Sequence, residues 1–163
     1  MARQCFFSFK FKDDARRASQ VRQMGVFEGN TPAKDNDWEQ IKRGGDPAIK
    51  RWIQKQLEGR TCTIVLVGQN TARQKWINYE ISESWKRNIG VFGVYIHGLR
   101  DPLTGTCAKG ENPFSSLNFN GESFDKVVTC YNPQGNDSKA VYVDIHQSLP
   151  RLVEDAIVIR KRY

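Results

Sequence analysis

An α/β fold built on a mostly parallel sheet is predicted by three features of this sequence. Short apolar strand-like runs alternate with amphipathic helical segments through the first hundred residues, as βαβ units do. The run Thr61-Cys62-Thr63-Ile64-Val65-Leu66-Val67 is almost wholly apolar, which suits a central parallel strand covered on both faces. Near the end, Leu149, Leu152, Val153, Ala156 and Ile157 recur at i, i+3, i+4, i+7 and i+8, the signature of an amphipathic closing helix. Crossovers between parallel strands should be right-handed.

The elements follow in order. Cys5-Phe6-Phe7-Ser8-Phe9 reads as a buried first strand. Asp13-Asp14 then offers an N-cap for a helix over 15–23. Gly25-Val26-Phe27 is a short second strand, and 28–45, rich in Gly, Asn, Asp, Thr and Pro, reads as a long loop containing Trp38. Asp46-Pro47 starts a second helix, Asp as cap and Pro at the first position. Ile49, Trp52, Ile53 and Leu57 form its inward stripe, and Gly59 stops it. After the strand at 61–67 comes a helix over 72–87 with Ile77, Ile81, Ser84 and Trp85 facing inward. Val91 to Ile96 is the next strand. From about 100 to 140 the texture is irregular, with one strand expected at 126–130 and another at 140–145. Pro150 is placed in the first turn of the closing helix. The 163 residues fit one domain, 1–163, elaborated at about 100–140, with no internal repeat.

Composition narrows the function. With 39% hydrophobic and 26% charged residues the chain reads as an ordinary globular domain. No basic-then-apolar leader and no apolar stretch near 18 residues is seen, so neither secretion nor a membrane is expected. The four cysteines, Cys5, Cys62, Cys107 and Cys130, are scattered. They read as reduced thiols in a cytoplasmic protein, and no metal site is expected. The net charge of +7 is spread over several helices, including Arg16, Arg17, Arg22, Arg73, Lys75 and the tail Arg160-Lys161-Arg162. That pattern fits solvated helix faces, with an anionic small molecule such as a dinucleotide as the second reading. Nucleic acid is not expected. No G-x-G-x-x-G, P-loop, G-x-S-x-G or H-E-x-x-H motif is present, which argues against dehydrogenases, NTPases, α/β-hydrolases and zinc proteases.

Ligands of parallel α/β sheets bind at the carboxyl ends of strands. Three such tails matter: 8–12, 68–71 and 96–100. On the third helix Glu80 falls at the flank of the apolar stripe, one turn after Trp76. A carboxylate beside an indole near the sheet edge is a candidate for a shifted pKa. A surface glutamate paired with Lys75, Lys86 or Arg87 is the plainer reading. Asp37-Trp38 offers a ring for stacking or a loop anchor. Phe6 and Phe7 face opposite sides of their strand, so core packing should claim at least one of them. His97 follows a strand and could titrate near neutrality.

Phe7-Ser8-Phe9 with Asp13 five residues after the serine resembles the opening strand of TIR domains. Lys75-Trp76-Ile77-Asn78-Tyr79-Glu80-Ile81 resembles their W-x-x-x-E-I segment. Gly93-Val94-Tyr95-Ile96-His97-Gly98-Leu99-Arg100-Asp101, with Cys5 to Phe9 and Asp37-Trp38-Glu39, is similar to one bacterial subgroup. That subgroup includes the TIR component of the Thoeris anti-phage defence system. The resemblance covers about 4–101 and the closing helix. It implies a flavodoxin-like, three-layer fold with a five-stranded sheet. It implies cleavage of the nicotinamide–ribose bond of NAD, as substrate and without a bound cofactor, and a cyclic ADP-ribose-type second messenger read by a downstream effector. Self-association is also implied. Glu80 matches the family's catalytic glutamate and Phe6 an aromatic position at its pocket. Phe7, Ser8, Asp37, Trp38, Trp76 and His97 complete the expected substrate-binding set. Two alternatives stay open: a non-catalytic TIR-like interaction module, and an enzyme of the nucleoside deoxyribosyltransferase type.

Overall fold

The structure is a computed structural model, and it describes residues 3–25, 28–29 and 40–163. In chain order the strands are β1 (Gln4–Ser8), β2 (Glu28–Gly29), β3 (Cys62–Val67), β4 (Gly90–Tyr95), β5 (Asn118–Phe119), β6 (Glu122–Ser123) and β7 (Cys130–Tyr131). The α-helices are α1 (Phe11–Arg22), α2 (Gly45–Leu57), α3 (Lys75–Lys86) and α4 (Ser138–Lys161). Among the described residues the main sheet has five strands, all parallel, in the order β2-β1-β3-β4-β7. From β1 the chain moves outward to β2. It then returns to β3 on the other side of β1 and continues to β4. The direction therefore reverses between β1 and β3, which makes their carboxyl ends the topological switch point.

Both faces of the sheet are covered. Cys5, Phe7, Ile64, Leu66, Phe92 and Val94 pack against α1 and α4 through Ala18, Val21, Ile145, Leu149 and Val153. On the other face Val65, Val67, Val91 and Tyr95 meet Ile77, Ile81 and Trp85 of α3 and Phe114, Phe124 and Val127 of the later region. Phe6 joins Ile49, Ile53 and Leu57 of α2 there. Every residue of β3 and β4 is buried, which is why these strands read as unbroken apolar runs rather than alternating ones. In α3 the buried residues are Ile77, Ile81, Ser84 and Trp85, the stripe the spacing predicts.

Several boundaries move. Helix α1 starts earlier than the Asp13-Asp14 signal suggests. Lys10 is its N-cap, without a side-chain cap bond, and the two aspartates lie in the first turn. Asp46 and Pro47 likewise fall inside the first turn of α2, and residues 40–43, read as loop, are helical. Helix α3 begins at Lys75 rather than at 72, because Arg73 sits in the left-handed region at φ 65° and cannot continue a helix. The strand expected at 126–130 is a 3₁₀ turn over Phe124–Lys126 followed by β7. The missed β5–β6 hairpin turns at Asn120-Gly121, whose φ values of 49° and 80° are what a tight hairpin turn demands.

The largest correction is at 140–145, expected as a strand. It runs from the first turn of the 24-residue α4 into its second. Asp137 caps that helix, accepting from Ala140 N–H at 2.8 Å. Val141, Ile145, Ser148, Leu149, Leu152 and Val153 then form one buried stripe. Packing of that stripe on the sheet overrides the strand preference of Val141, Tyr142 and Val143. Pro150 is inside the helix rather than in its first turn, on an exposed position. The Val26-Phe27 part of the second strand lies outside the described residues.

Candidate functional site

Ser8 is the last residue of β1, and its side chain shares a face with Phe6, toward α2 and α3. Glu80 lies in the middle of α3, which follows β3. The fold brings the two together at the switch point. Ser8 Oγ donates to Glu80 Oε1 at 2.9 Å across 72 residues of sequence. Ser8 is buried at 1% exposure, whereas Glu80 is half-buried, crowded by protein but still reached by solvent. Burial pushes the Glu80 carboxyl up to about 8, and the Ser8 hydroxyl bond opposes that rise. Among the described residues no cation is paired with it. Helix α3 is itself pinned to the sheet, since Ser84 Oγ lies 2.8 Å from Thr63 Oγ1 of β3 and donates to the Glu80 carbonyl at 2.6 Å.

The other expected residues divide. Trp76 lies one turn before Glu80 on the same side of α3. It is half-buried against the cluster that contains Phe6, with its ring edge-on to Tyr79 at 5.9 Å and Lys75 Nζ 4.9 Å from its centroid. Phe6 is on the Ser8 face but only 1% exposed, so it stands behind the site as packing. Phe7 points through the sheet into the α1–α4 core, and the structure does not bring it to Glu80. His97 follows β4, two strands away from β1. It lines a separate cleft of about 310 Å³ with Tyr95, Asn132, Gln134 and Asn136. Its Nδ1 is buried without a partner there, and burial together with Lys109 holds its pKa down. Asp37 and Trp38 lie outside the described residues. Among the described residues no three His, Cys, Asp or Glu side chains converge as metal ligands.

The structure also shows a scaffold that the sequence reading missed. Arg17, read as part of a solvated helix face, is 3% exposed. Its guanidinium pairs with Asp14 at 3.0 Å and donates to the carbonyls of Leu99 at 3.0 Å and Gly105 at 2.7 Å. The Asp14 carboxylate lies so close to Gly68 that a Cβ there would collide with it, and Gly68 N–H donates to Thr71 Oγ1 at 2.8 Å. Asn70 reaches Asp13 at 3.2 Å. One buried ion pair thus gathers the tails of β1, β3 and β4. The clue in the sequence is only that Asp14 and Arg17 are spaced i, i+3, which does not say which way the pair faces. Farther along, Arg73 forms a two-bond pair with Glu111, 3.0 Å each, joining the loop before α3 to the loop before residue 112.

A parallel sheet of this order, with a half-buried glutamate bonded to a serine at its switch point, defines a flavodoxin-ordered α/β domain. Residues 6–101 match the family described as Thoeris protein ThsB, TIR-like domain, and the chain belongs to that family. It is 32% identical over 136 residues to a protein of Bacillus cereus (strain MSX-D12) named "Putative cyclic ADP-D-ribose synthase ThsB1", an alignment spanning 80% of this chain and 71% of that protein.

Proposed function

We propose that this protein cleaves the bond between nicotinamide and ribose in NAD and converts the ADP-ribosyl part to a cyclic ADP-ribose-type messenger. The observation that carries this reading is the Ser8–Glu80 pair: a half-buried carboxyl at the switch point, held by a hydroxyl and, among the described residues, without a cation. The name of the Bacillus cereus relative supports the same chemistry.

The chemistry suits such a group. Nicotinamide in NAD carries a positive charge and leaves as a neutral molecule, so no external acid is needed. The positive charge passes to the ribosyl carbon in an oxocarbenium-like transition state. A carboxylate fixed near that carbon stabilises the charge where it develops. Glu80, mostly protonated at neutral pH, ionises as the cationic ring approaches, because a nearby positive charge favours the charged carboxylate. Ser8 then holds the ionised oxygen in place. Trp76 supplies an aromatic wall one turn away, and cyclisation requires the adenine end to fold back while water is excluded. In defence signalling the product would act on a separate effector.

The test is NAD turnover followed by mass spectrometry, comparing the wild type with Glu80→Gln, purified and in lysate of phage-challenged cells. NAD loss with an ADP-ribose-derived product, seen only with the wild type, is the expected result. Untouched NAD in challenged cells that hold folded protein would sink the enzyme and leave a TIR-like interaction module.

A further inference from the structure

The loop between β3 and α3 opens directly onto the switch point, and it contains an unusual residue. Arg73 holds a left-handed backbone at φ 65°, a conformation long side chains rarely adopt outside tight or functional turns. It is two residues before α3 begins and seven before Glu80.

The Arg73 side chain is 68% exposed, yet its fork is filled. Nε and Nη2 each donate to one oxygen of Glu111, the planar two-bond geometry that guanidinium also offers to phosphate. The pairing holds the Glu111 carboxyl below its usual range. Glu111 is placed there by its neighbour. Gly110 lies against the Gly68 carbonyl so tightly that a Cβ would collide with it, which fixes the 105–112 segment over the tail of β3. Two other cations near this edge also have carboxylate partners, Lys10 with Asp13 and Lys75 with Asp46. The Arg73 partner comes from a segment 38 residues away, on the rim of the same edge.

Resting on the NAD reading above, we infer that Arg73 is the residue that grips the pyrophosphate of the dinucleotide, and that Glu111 occupies its fork until the ligand displaces it. A dianionic pyrophosphate offers the same two-oxygen edge as a carboxylate with more charge. An exposed ion pair of this kind holds its partner by about fivefold or less, so displacement is cheap. Glu111 therefore competes with the ligand and also screens the arginine from other anions.

The experiment measures binding in the Glu80→Gln background, where turnover does not intrude, by titration calorimetry with ADP-ribose and with nicotinamide riboside, which lacks phosphate. Arg73→Gln should weaken ADP-ribose at least tenfold, with Arg73→Lys intermediate. Glu111→Gln should tighten ADP-ribose about twofold to fivefold. Nicotinamide riboside should be indifferent to all three changes. If Arg73→Gln leaves ADP-ribose affinity unaltered, or weakens the riboside equally, the arginine does not hold the pyrophosphate. If Glu111→Gln weakens ADP-ribose, the pair is structural and the competition is wrong. A Glu80→Gln protein that binds neither ligand overturns the NAD reading itself, a result separable from a failure at Arg73 alone.

Discussion

Two inward-facing carboxyls sit within one sheet edge of each other, and they are treated in opposite ways. Asp14 is 1% exposed and has the buried guanidinium of Arg17 beside it at 3.0 Å. Burial still raises its pKa, with Arg17 pulling the other way. Glu80 is half-buried and among the described residues has the Ser8 hydroxyl but no cation beside it, and burial carries it to about 8. The first carboxyl is compensated and anchors loops. The second is uncompensated, which is a burden for folding and a reserve for binding a cation. A buried charge with its own counter-ion serves the scaffold, whereas one without is available to a ligand.

The sharpest way to break this contrast is to remove the counter-ion from the first site. Arg17→Met leaves Asp14 buried and alone and also frees the carbonyls of Leu99 and Gly105. The expected loss is about 3–5 kcal/mol in denaturant unfolding. A loss under about 1 kcal/mol would mean that Asp14 simply takes a proton and that the pair is no anchor. Next in size is catalysis at the second site. Glu80→Gln should lower NAD cleavage at least about a hundredfold, the usual consequence of deleting one fixed electrostatic stabiliser. Residual activity within tenfold of wild type would show that another group carries the charge.

The same substitution should act in the opposite sense on stability. Glu80 has a folded pKa of about 8 against an ordinary 4.5, so the folded state holds a proton that the unfolded chain releases. Wild-type stability is therefore intact below about 4.5 and declines as pH rises through 8. Gln carries no such proton. Glu80→Gln should match the wild type at pH 4.5 and exceed it at pH 8.5 by about 1–3 kcal/mol, a range reduced from the full shift because solvent reaches the carboxyl. Thermal melts of both proteins across that interval decide it. A gap that stays constant with pH removes the argument that Glu80 is uncompensated.

How far the sequence reveals this contrast depends on which signal carries each half. The place of Glu80 was legible only in part: it flanks a stripe of Ile77, Ile81, Ser84 and Trp85 that the structure buries residue for residue, but spacing alone favoured a surface glutamate paired with Lys75, Lys86 or Arg87, and the resemblance singled it out. Its serine partner sits at the end of an apolar run, and both lie in segments matched by the family. The compensated pair was not legible, because an i, i+3 Asp–Arg pair looks the same on a solvated face as on a buried one. Only the close approach of Gly68 and the carbonyls of Leu99 and Gly105 turn it inward, and these are set by tertiary structure. The same limit explains α4, where local strand preference in Val141 to Val143 gave way to a buried stripe on the sheet.

The smallest expected effect, and the most direct probe of how the second carboxyl is tuned, is Ser8→Ala. The hydroxyl donates to Glu80 Oε1 and so favours the ionised form. Removing it should raise the Glu80 pKa further, by about half a unit to one unit, a reduced share of the usual worth of a hydrogen bond to a charged group. If ionised Glu80 is what the reaction needs, the rising limb of kcat/KM against pH shifts to higher pH by that amount. Activity at pH 7 then falls about threefold to tenfold and recovers near pH 9. The recovery is the informative part, since a serine that touched the reacting ribose directly would lower the rate at every pH without moving the limb.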